Sequence, residues 1–127
     1  MTGRRRVATR APWEATVGYS RAVRAGNLVY VSGTAPVGED GKIAHRGDAY
    51  RQAQRCIEII TRALQELGAG PEHVVRTRMF IADRTHWQEV GRAHAEVFGA
   101  HRPATIMVVT GFVDADILVE IEADAVV

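Results

Sequence analysis

Two amphipathic helices, separated by strand-like segments, most constrain what this chain can fold into. Over 48–67 apolar side chains recur at the spacing of one helix face, and Gly68 follows as a helix stop. That apolar stripe comprises Ala49, Ala53, Cys56, Ile57, Ile60, Ala63, Leu64 and Leu67. A second helix is predicted over 85–98, because Thr85 and Gln88 have the spacing of a capping box. Its buried face is predicted to carry Trp87, Val90, His94, Val97 and Phe98.

The segments around these helices alternate or are β-branched, as strands are. Strands are predicted over 28–32, 74–82, 105–110 and 117–127. Within the second of them, one predicted face carries Val75, Thr77, Met79 and Ile81, and the other carries Arg76, Arg78 and Phe80. Two helices can cover only one face of such a sheet. The other face mixes charges with large apolar groups, so it is either solvated or packed against copies of itself.

Length and composition indicate a single globular domain. The 127 residues are 46% hydrophobic and 24% charged with a net charge of +1, and no apolar run is long enough to cross a membrane. Residues 1–15 are predicted to be a flexible basic segment and 16–127 the folded domain. The arginines at 4–6 argue little for a nucleic-acid partner, because no aromatic residue interleaves with them. Cys56 has no disulfide partner within the chain, which favours a reducing, cytoplasmic location.

Standard catalytic and metal-binding motifs are missing from the sequence. The five histidines lack metal-ligand spacing, so no metal site is expected. Cys56 is interpreted as a small buried hydrophobe rather than a nucleophile. His94 is interpreted as a hydrogen-bonded core histidine, with an acid or base in a cleft as the alternative. Glu120 is either an exposed carboxylate or a general base, and Tyr19 either packs in the core or faces a substrate.

Five segments, in order along the chain, resemble the YjgF/Rid family of reactive-intermediate deaminases. They are 19–33, the helix around Gln52 and Ala53, 74–83, 98–104 and 119–123. The first contains Tyr19-Ser20-Arg21-Ala22-Val23, and the last is Val119-Glu120-Ile121-Glu122-Ala123. Each segment is short, but five in register are specific for fold and family. The resemblance implies a chorismate-mutase-like α+β fold of the YjgF type, with a mixed sheet and two helices on one face.

The resemblance also implies an assembly and a chemistry. Family members are homotrimers whose sheets form a central barrel, with a small-molecule cleft at each subunit interface. Deaminating members hydrolyse reactive enamines and imines to keto acids and ammonia, and they need no metal or organic cofactor. On the matching positions, Tyr19 and Glu120 are the predicted catalytic residues, and Ser32 and Gly33 are predicted to contact the substrate. The glutamate is associated with positioning water, and the glycine with close approach of the backbone to the ligand.

One position departs from the pattern of the family deaminases. They read Pro-Ala-Arg-Ser where this chain reads Pro103-Ala104-Thr105-Ile106, and their arginine clamps a substrate carboxylate through two parallel hydrogen bonds. Thr105 is uncharged, so the loss should cost orders of magnitude in rate on such substrates. Gly91 replaces a frequent cleft asparagine and Met107 an occasional cysteine, and with Thr105 they remain predicted ligand contacts. Arg102 either reaches the cleft in place of the clamp or is a solvated loop residue.

Three functions remain as expectations. The first is hydrolysis of an enamine, imine or related metabolite that lacks the usual carboxylate, with Tyr19 binding the substrate and Glu120 assisting water. The second is a non-catalytic trimer that binds a small ligand in a less charged cleft. The third is RNA cleavage, which the family's endoribonuclease label suggests. It ranks last because the arginines at 4–6 are its support in this chain.

Overall fold

The structure, a computed structural model, describes residues 3–9 and 11–127. Met1, Thr2 and Arg10, which belong to the predicted flexible segment, lie outside the described residues. The strands are β1 (Arg5–Val7), β2 (Ala22–Ala25), β3 (Leu28–Thr34), β4 (Val74–Ile81), β5 (Ala104–Val109) and β6 (Val119–Val126). The α-helices are α1 (Trp13–Val17), α2 (Ala49–Glu66) and α3 (Trp87–Phe98). Over the described residues they form one mixed sheet, in the order β1-β2-β3-β6-β4-β5, which confirms the α+β prediction.

Neighbouring strands in this sheet are antiparallel except β4 and β5, which run parallel. The crossover between those two strands is α3, as parallel pairing requires a long connection. Strand β6, the last in the chain, lies at the centre between β3 and β4. It therefore carries Glu120 into the middle of the sheet, while β5 carries Thr105 at its edge.

Helix α2 begins and ends where the sequence predicts. The Asp48 carboxylate accepts a hydrogen bond from the Arg51 backbone N–H at 3.0 Å, which caps the first turn. At the other end Gly68 has φ of 78°, and the Ala69 N–H reaches the Leu64 carbonyl at 2.8 Å. This left-handed closure satisfies carbonyls that the helix leaves unpaired, and glycine adopts it without strain. The prediction of this helix is confirmed.

Helix α3 begins two residues later than predicted, so the predicted capping box at Thr85 is wrong. The Asp83 carboxylate accepts from both the backbone N–H and the hydroxyl of Thr85, at 2.8 and 2.7 Å. These bonds close a short 3-10 turn over Arg84–His86 before the α-helix starts. The predicted buried face is also wrong at two positions, since Trp87 and Val97 are 58% and 36% exposed. Periodicity identifies apolar positions but does not say what covers them.

The core lies between one face of the sheet and helices α2 and α3. Alternate residues of β6 point into it and are buried: Val119, Ile121, Ala123 and Ala125. The apolar stripe of α2 packs against them, with Cys56, Ile60 and Leu64 among the most buried side chains. Burial of a large aliphatic side chain contributes about 1.5–3 kcal/mol each, so this layer dominates the stability. The prediction of two helices on one face is confirmed.

Neither α2 nor α3 covers the opposite face of the sheet. Arg78 lies there between two carboxylates of β6, with Nη1 at 3.0 Å from Glu122 and 3.3 Å from Asp124. These pairs are partly solvated, so each contributes about 0–1 kcal/mol. Around them are exposed apolar side chains, including Tyr30 and Ile106. The mixture of charge and apolar surface predicted for this face is therefore observed.

One residue of the predicted core face of β4 lies elsewhere. The pairing of β4 with β6 shifts register between Val74 and Arg76. Such a bulge moves the extra residue off the alternation, and Val75 is accordingly 50% exposed. The prediction is wrong for Val75 and holds for the buried residues Thr77, Met79 and Ile81.

Part of the N-terminal segment differs from the flexible tail expected for 1–15. Residues Arg5–Val7 form β1, which pairs antiparallel with β2 and buries Val7. The Arg5 guanidinium also donates to the Glu66 carbonyl at the end of α2, at 2.8 Å. An edge strand offers unpaired backbone groups, and a short extended segment satisfies them whatever its charge.

Candidate functional site

A cavity of about 260 Å³ opens beside the end of β3 and brings together three predicted site residues: Tyr19, Gly33 and Glu120. Its wall is completed mostly by apolar side chains from α1, α2 and neighbouring loops: Ala11, Trp13, Val17, Ala35, Val37, Ile59 and Val113. Thr9, Arg21 and Thr34 add polar groups. A concave, mainly apolar site with a few convergent polar groups is typical of a small-molecule pocket.

Arg21 organises the polar side of this cavity, although it is only 2% exposed. Its Nη1 donates to the Gly33 carbonyl at 2.6 Å and to the Thr34 hydroxyl at 3.0 Å. Its Nη2 donates to the Tyr19 hydroxyl at 3.4 Å, and the guanidinium lies 5.4 Å from the centre of the Tyr19 ring. One buried cation thus fixes both the backbone at Gly33 and the phenol. We call this cavity, whose polar wall includes Tyr19, Arg21, Gly33 and Glu120, the Arg21 cavity.

The charge of Arg21 is balanced by Glu14 of α1. The Glu14 carboxylate accepts from Arg21 Nε at 3.1 Å and is itself only 6% exposed. It also accepts from the backbone N–H of Thr9 at 2.9 Å and from the Thr9 hydroxyl. Neither helical spacing nor the family resemblance predicts this pair. Its signal was an isolated acidic residue in a segment otherwise rich in arginine.

Glu120 is half-buried at the cavity, on the uncovered face of β6. Burial raises the pKa of its carboxyl above the usual value of 4.5, and the nearby charge of Arg21 partly offsets that rise. A Cβ at Gly33 would lie 3.4 Å from Glu120 Oε1, so the backbone and this carboxyl are close neighbours. A carboxyl with a raised pKa in a pocket is suited to exchange protons with water.

Ser32, which was predicted to contact the substrate, uses its hydroxyl inside the sheet. The hydroxyl donates to the Ser20 carbonyl at 2.7 Å, and the Ser32 backbone N–H donates to the Arg21 carbonyl at 2.9 Å. The Ser32 carbonyl accepts from the Thr34 hydroxyl at 2.7 Å. These hydrogen bonds fix the end of β3 next to Gly33, so Ser32 positions the backbone that lines the cavity.

A second polar group lies at the other end of the sheet, between α3 and the edge strand β5. The His94 Nε2 and the Thr77 hydroxyl are 2.8 Å apart, and Thr77 donates to the Thr105 hydroxyl at 2.7 Å. His94 stacks on Phe98 with ring centroids 4.8 Å apart, which agrees with the predicted hydrogen-bonded core histidine. Burial lowers the pKa of His94 from 6.5 and favours the neutral imidazole. We call His94, Thr77 and Thr105 the Thr105 chain.

The remaining predicted contacts lie around this chain or beyond it. Met107 is two residues after Thr105 on the same strand face and is partly buried. Gly91 precedes His94 by one helical turn, and a Cβ there would meet nothing within 4 Å. Arg102 lies in the turn after α3: its backbone N–H donates to the Phe98 carbonyl at 2.8 Å, its φ is 52°, and the residue is exposed.

The two groups do not meet within one chain. Strand β4 separates β6, which carries Glu120, from β5, which carries Thr105. The pairing registers also place Glu120 opposite Phe80 on the uncovered face, and Thr105 opposite Thr77 on the face toward the helices. Thr105 is accordingly not among the residues that line the cavity at Glu120.

Other chemical roles find little support in the described residues. Burial raises the pKa of the Cys56 thiol well above its usual value, which agrees with a small buried hydrophobe. In 3–9 and 11–127 no three His, Cys, Asp or Glu side chains cluster as metal ligands would. Across the same residues, no helix combines the length and the apolar character needed to span a bilayer.

Known proteins share this fold and sequence over nearly the whole chain. Residues 9–127 match the family described as Endoribonuclease L-PSP. The crystal structure of Rv2704 from Mycobacterium tuberculosis, described as a member of the YjgF/YER057c/UK114 family, is 43% identical with a TM-score of 0.87. The match covers 98% of this chain and 100% of that one.

Two curated sequences extend this likeness. The uncharacterized protein SCO2049 of Streptomyces coelicolor is 41% identical, over 95% of this chain and 90% of its own length. The 3-aminoacrylate deaminase RutC of Acinetobacter baylyi is 35% identical, over 84% of this chain and 85% of its own. The resemblance found in the sequence is confirmed: the chain belongs to the Endoribonuclease L-PSP family, whose members include the YjgF proteins.

Proposed function

We propose that this protein hydrolyses an enamine, imine or related small metabolite that lacks a carboxylate at the usual position. The observation that carries the proposal is the Arg21 cavity, where Tyr19 and Glu120 share a mainly apolar pocket with the backbone of Gly33. Tyr19 and Glu120 are the proposed catalytic residues. Gly33, Thr105, Met107 and Gly91 are the proposed substrate contacts, and Ser32 is their support.

The chemistry asks little of the protein beyond positioned proton transfer. The acid form of Glu120 protonates an enamine at carbon, which gives the iminium form, and water then adds to its C=N carbon as the Glu120 carboxylate takes a proton from that water. Glu120 returns this proton to the nitrogen, so the C–N bond breaks and ammonia leaves. The hydroxyl of the adduct loses its proton to the Glu120 carboxylate as the C=O bond forms, which restores the acid form and consumes one water for each ammonia released. A carboxyl whose pKa burial raises suits both steps.

The proposal of a substrate without a carboxylate rests on the positions of the arginine side chains. RutC, by its name, acts on 3-aminoacrylate, an enamine that carries a carboxylate. In this chain Thr105 stands where family deaminases have the arginine clamp. Arg21 does not replace it, because four of its five N–H donors already serve Glu14, Gly33, Thr34 and Tyr19, which leaves too few for two parallel hydrogen bonds to a carboxylate. Arg102 is exposed at the end of α3, which supports the alternative of a solvated loop residue.

The proposal includes a homotrimer with the ligand clefts between subunits. It is supported by the uncovered face of the sheet, where Tyr30 is 48% and Ile106 53% exposed, and by the exposed edge strand β5. Long edges and apolar patches of this kind are usually covered by a partner. Sedimentation velocity at micromolar protein measures the assembly, and a monomer would contradict both the trimer and the cleft.

Ammonia release tests the reaction. We expect the wild type to hydrolyse 3-aminocrotonamide, an uncharged enamine, and to be slow on 2-iminopropionate generated in situ. Thr105→Arg should raise the rate on 2-iminopropionate at least about tenfold, because it restores a bidentate partner for the carboxylate. A wild type as fast as Thr105→Arg on 2-iminopropionate would show that the missing clamp does not matter.

The second candidate is a non-catalytic trimer that binds a small ligand, and the mainly apolar wall around Trp13 and Val113 favours it. Ligand-induced thermal stabilisation without ammonia release from any enamine would support it over hydrolysis.

RNA cleavage ranks last, since it rests on the family's label and the arginines at 4–6. We keep a cytoplasmic location within the proposal, because a chain with one cysteine gains no internal disulfide from an oxidising compartment.

A further inference from the structure

Two carboxyl groups lie near one buried guanidinium beside the Arg21 cavity. The Glu14 carboxylate takes the direct ion pair, with Oε2 at 3.1 Å from Arg21 Nε. Glu120 shares the cavity wall with Arg21, but among the described residues the ion pair of Arg21 is formed with Glu14 and not with Glu120. An arginine in direct contact holds a carboxyl in its ionised form, whereas a carboxyl that only senses a nearby charge still gains and loses a proton readily.

The Arg21 guanidinium cannot turn toward Glu120 without losing buried hydrogen bonds. Its Nη1 donates to the Gly33 carbonyl at 2.6 Å and to the Thr34 hydroxyl at 3.0 Å, while its Nε is held by Glu14. Arg21 and Thr34 are both buried, so water does not replace a hydrogen bond that is given up there. The fold therefore fixes the direct partner of Arg21, and Glu120 receives only the through-space attraction of the charge.

The two carboxyl groups consequently have opposite surroundings. Glu14 is buried and accepts two further hydrogen bonds, from the backbone N–H and the hydroxyl of Thr9. No hydrogen bond from the described residues reaches the Glu120 carboxyl, which is half-buried on the cavity wall. Burial raises the pKa of Glu120, and the charge of Arg21 partly offsets that rise. Two carboxyls whose surroundings differ in this way divide into a fixed charge and a group that exchanges protons.

Among the described residues, Arg21 is the cation that acts on the pKa of Glu120. The other titratable or charged groups around this carboxyl are the Tyr19 phenol at the cavity, the Cys56 thiol of α2 and the ion pair of Arg78 with Glu122 on the sheet face. Burial raises the pKa of the Cys56 thiol, so that group stays uncharged, and the charge of Arg78 is already balanced within its own ion pair. A change in the charge of Arg21, or of its partner, therefore bears directly on Glu120.

We propose that Glu14 and Arg21 are positioning residues for the proton transfers of Glu120: Glu14 holds the charge of Arg21 in a separate ion pair, and Glu120 is thereby left to take up and release a proton. This inference rests on the proposed function, because it takes Glu120 to be the group that moves protons. It gives the short helix α1 a role in the reaction, although Glu14 does not line the cavity. The acid form of Glu120, with which the reaction begins, needs Glu14 because an unpaired Arg21 charge would hold Glu120 ionised.

The titration of Glu120 tests the inference without turnover. Carbon-13 NMR of the full chain, labelled at the glutamate carboxyls, follows this titration, and the Glu120 signal is the one lost in Glu120→Gln. Glu14→Gln leaves the Arg21 charge without its partner, so Glu120 should titrate at lower pH than in the wild type. Arg21→Gln removes the charge, so Glu120 should titrate at higher pH. The two substitutions act on one ion pair and should shift Glu120 in opposite directions.

The pH dependence of ammonia release from 3-aminocrotonamide gives a second measurement. The reaction begins with the acid form of Glu120, so the rate should fall as pH rises through the pKa of this group. That fall should lie at lower pH in Glu14→Gln and at higher pH in Arg21→Gln. At neutral pH, Glu14→Gln should lose about tenfold or more of the rate. A purely structural role of the pair would lower the rate at every pH without moving the profile.

A double variant and an exposed ion pair supply the controls. Each single variant leaves one buried charge unpaired, whereas Glu14→Gln/Arg21→Gln leaves none. In this double variant Glu120 should titrate at higher pH than in the wild type, as in Arg21→Gln. Asp116→Asn should leave Glu120 unchanged, because the pair of Asp116 with Arg46 is exposed. Circular dichroism checks the fold of each variant, and where a single variant does not fold, the double variant decides.

Three results would overturn the inference: shifts of Glu120 in the same direction in both single variants, no shift in either, or a double variant that titrates at or below the wild-type pH. Loss of the fold in all three variants would also overturn it, since the pair would then be structural. Opposite shifts without ammonia release from any enamine would contradict hydrolysis and uphold the effect of Glu14 on Glu120. Ammonia release without these shifts would do the reverse.

Discussion

The Arg21 cavity and the Thr105 chain hold their polar groups in different ways. In the cavity a buried ion pair between Arg21 and Glu14 fixes Tyr19 and the backbone of Gly33, and a carboxyl, Glu120, faces the opening. In the chain three uncharged groups are linked in series and end in an exposed hydroxyl. The two regions are therefore suited to different roles. The charged region is suited to proton transfer, and the neutral region to selecting the ligand.

The largest effect should come from the carboxyl in the cavity. Glu120→Gln keeps the shape of the side chain but cannot accept a proton, so ammonia release should fall about 10²–10⁴-fold. The control is Glu122→Gln, which lies on the same face of β6 and pairs with Arg78 outside the cavity. That variant should stay within about threefold of the wild type. Equal losses in both variants would assign the effect to the sheet face and remove the distinction between the regions.

The buried ion pair should dominate stability in the same region. Arg21→Met leaves the Glu14 carboxylate buried without its counter-charge, which costs about 3–5 kcal/mol in the free energy of unfolding. Arg46→Met is the matched control, because its pair with Asp116 is exposed and contributes about 0–1 kcal/mol. Urea denaturation of both variants measures the difference. If the two variants lost similar amounts of unfolding free energy, the buried pair of Arg21 and Glu14 would stabilise this region no more than an exposed pair does.

The neutral chain should show a smaller loss. Thr77→Val is nearly isosteric but removes the hydrogen-bond partner of His94 Nε2, and an unsatisfied buried polar group costs about 1–3 kcal/mol. Thr105→Val replaces the hydroxyl at the exposed end of the same chain by a methyl group. It should lower the free energy of unfolding by about 0.5 kcal/mol or less. Thermal and urea unfolding compare them. A Thr105→Val variant as unstable as Thr77→Val would mean that the outer hydroxyl is structural rather than free for a ligand.

The sequence predicted the cavity better than it predicted the chain. Tyr19, Gly33 and Glu120 were identified because they match family positions, and the structure places them on one pocket. Arg21 belongs to the opening motif, but it has no predicted role. No periodicity in the sequence indicates that an arginine will be buried. Its partner Glu14 lies on α1, an element that the sequence analysis did not predict.

The limits of the fold prediction have a common physical cause. Alternation and helical spacing report which side chains avoid water, and they gave α2, β6 and most of β4 correctly. They do not report the backbone shift at Val74 that exposes Val75, nor the Asp83 turn that delays α3. They also do not report which apolar side chains another element covers, and Trp87 is accordingly exposed although it has the spacing of a buried face.

The two regions should respond to pH with opposite signs. Burial raises the folded-state pKa of Glu120 above 4.5, so its contribution to stability is full below that pH. The contribution is lost as pH rises through the folded pKa, because the buried carboxyl must then ionise. Glu120→Gln should therefore gain stability relative to the wild type between pH 4.5 and neutrality. Urea unfolding across that range checks it, and a constant difference would refute the rise in pKa.

The chain should give the smallest effect, in the other direction. Burial lowers the folded-state pKa of His94 below 6.5, so its contribution is full above that pH and is lost as pH falls through the folded value. His94→Gln keeps a hydrogen-bonding group toward Thr77 and should remove this acid-side loss. His101→Gln, at an exposed loop histidine, serves as the control. If both variants followed the wild type below pH 6.5, His94 would be too solvated to keep the Thr105 chain neutral.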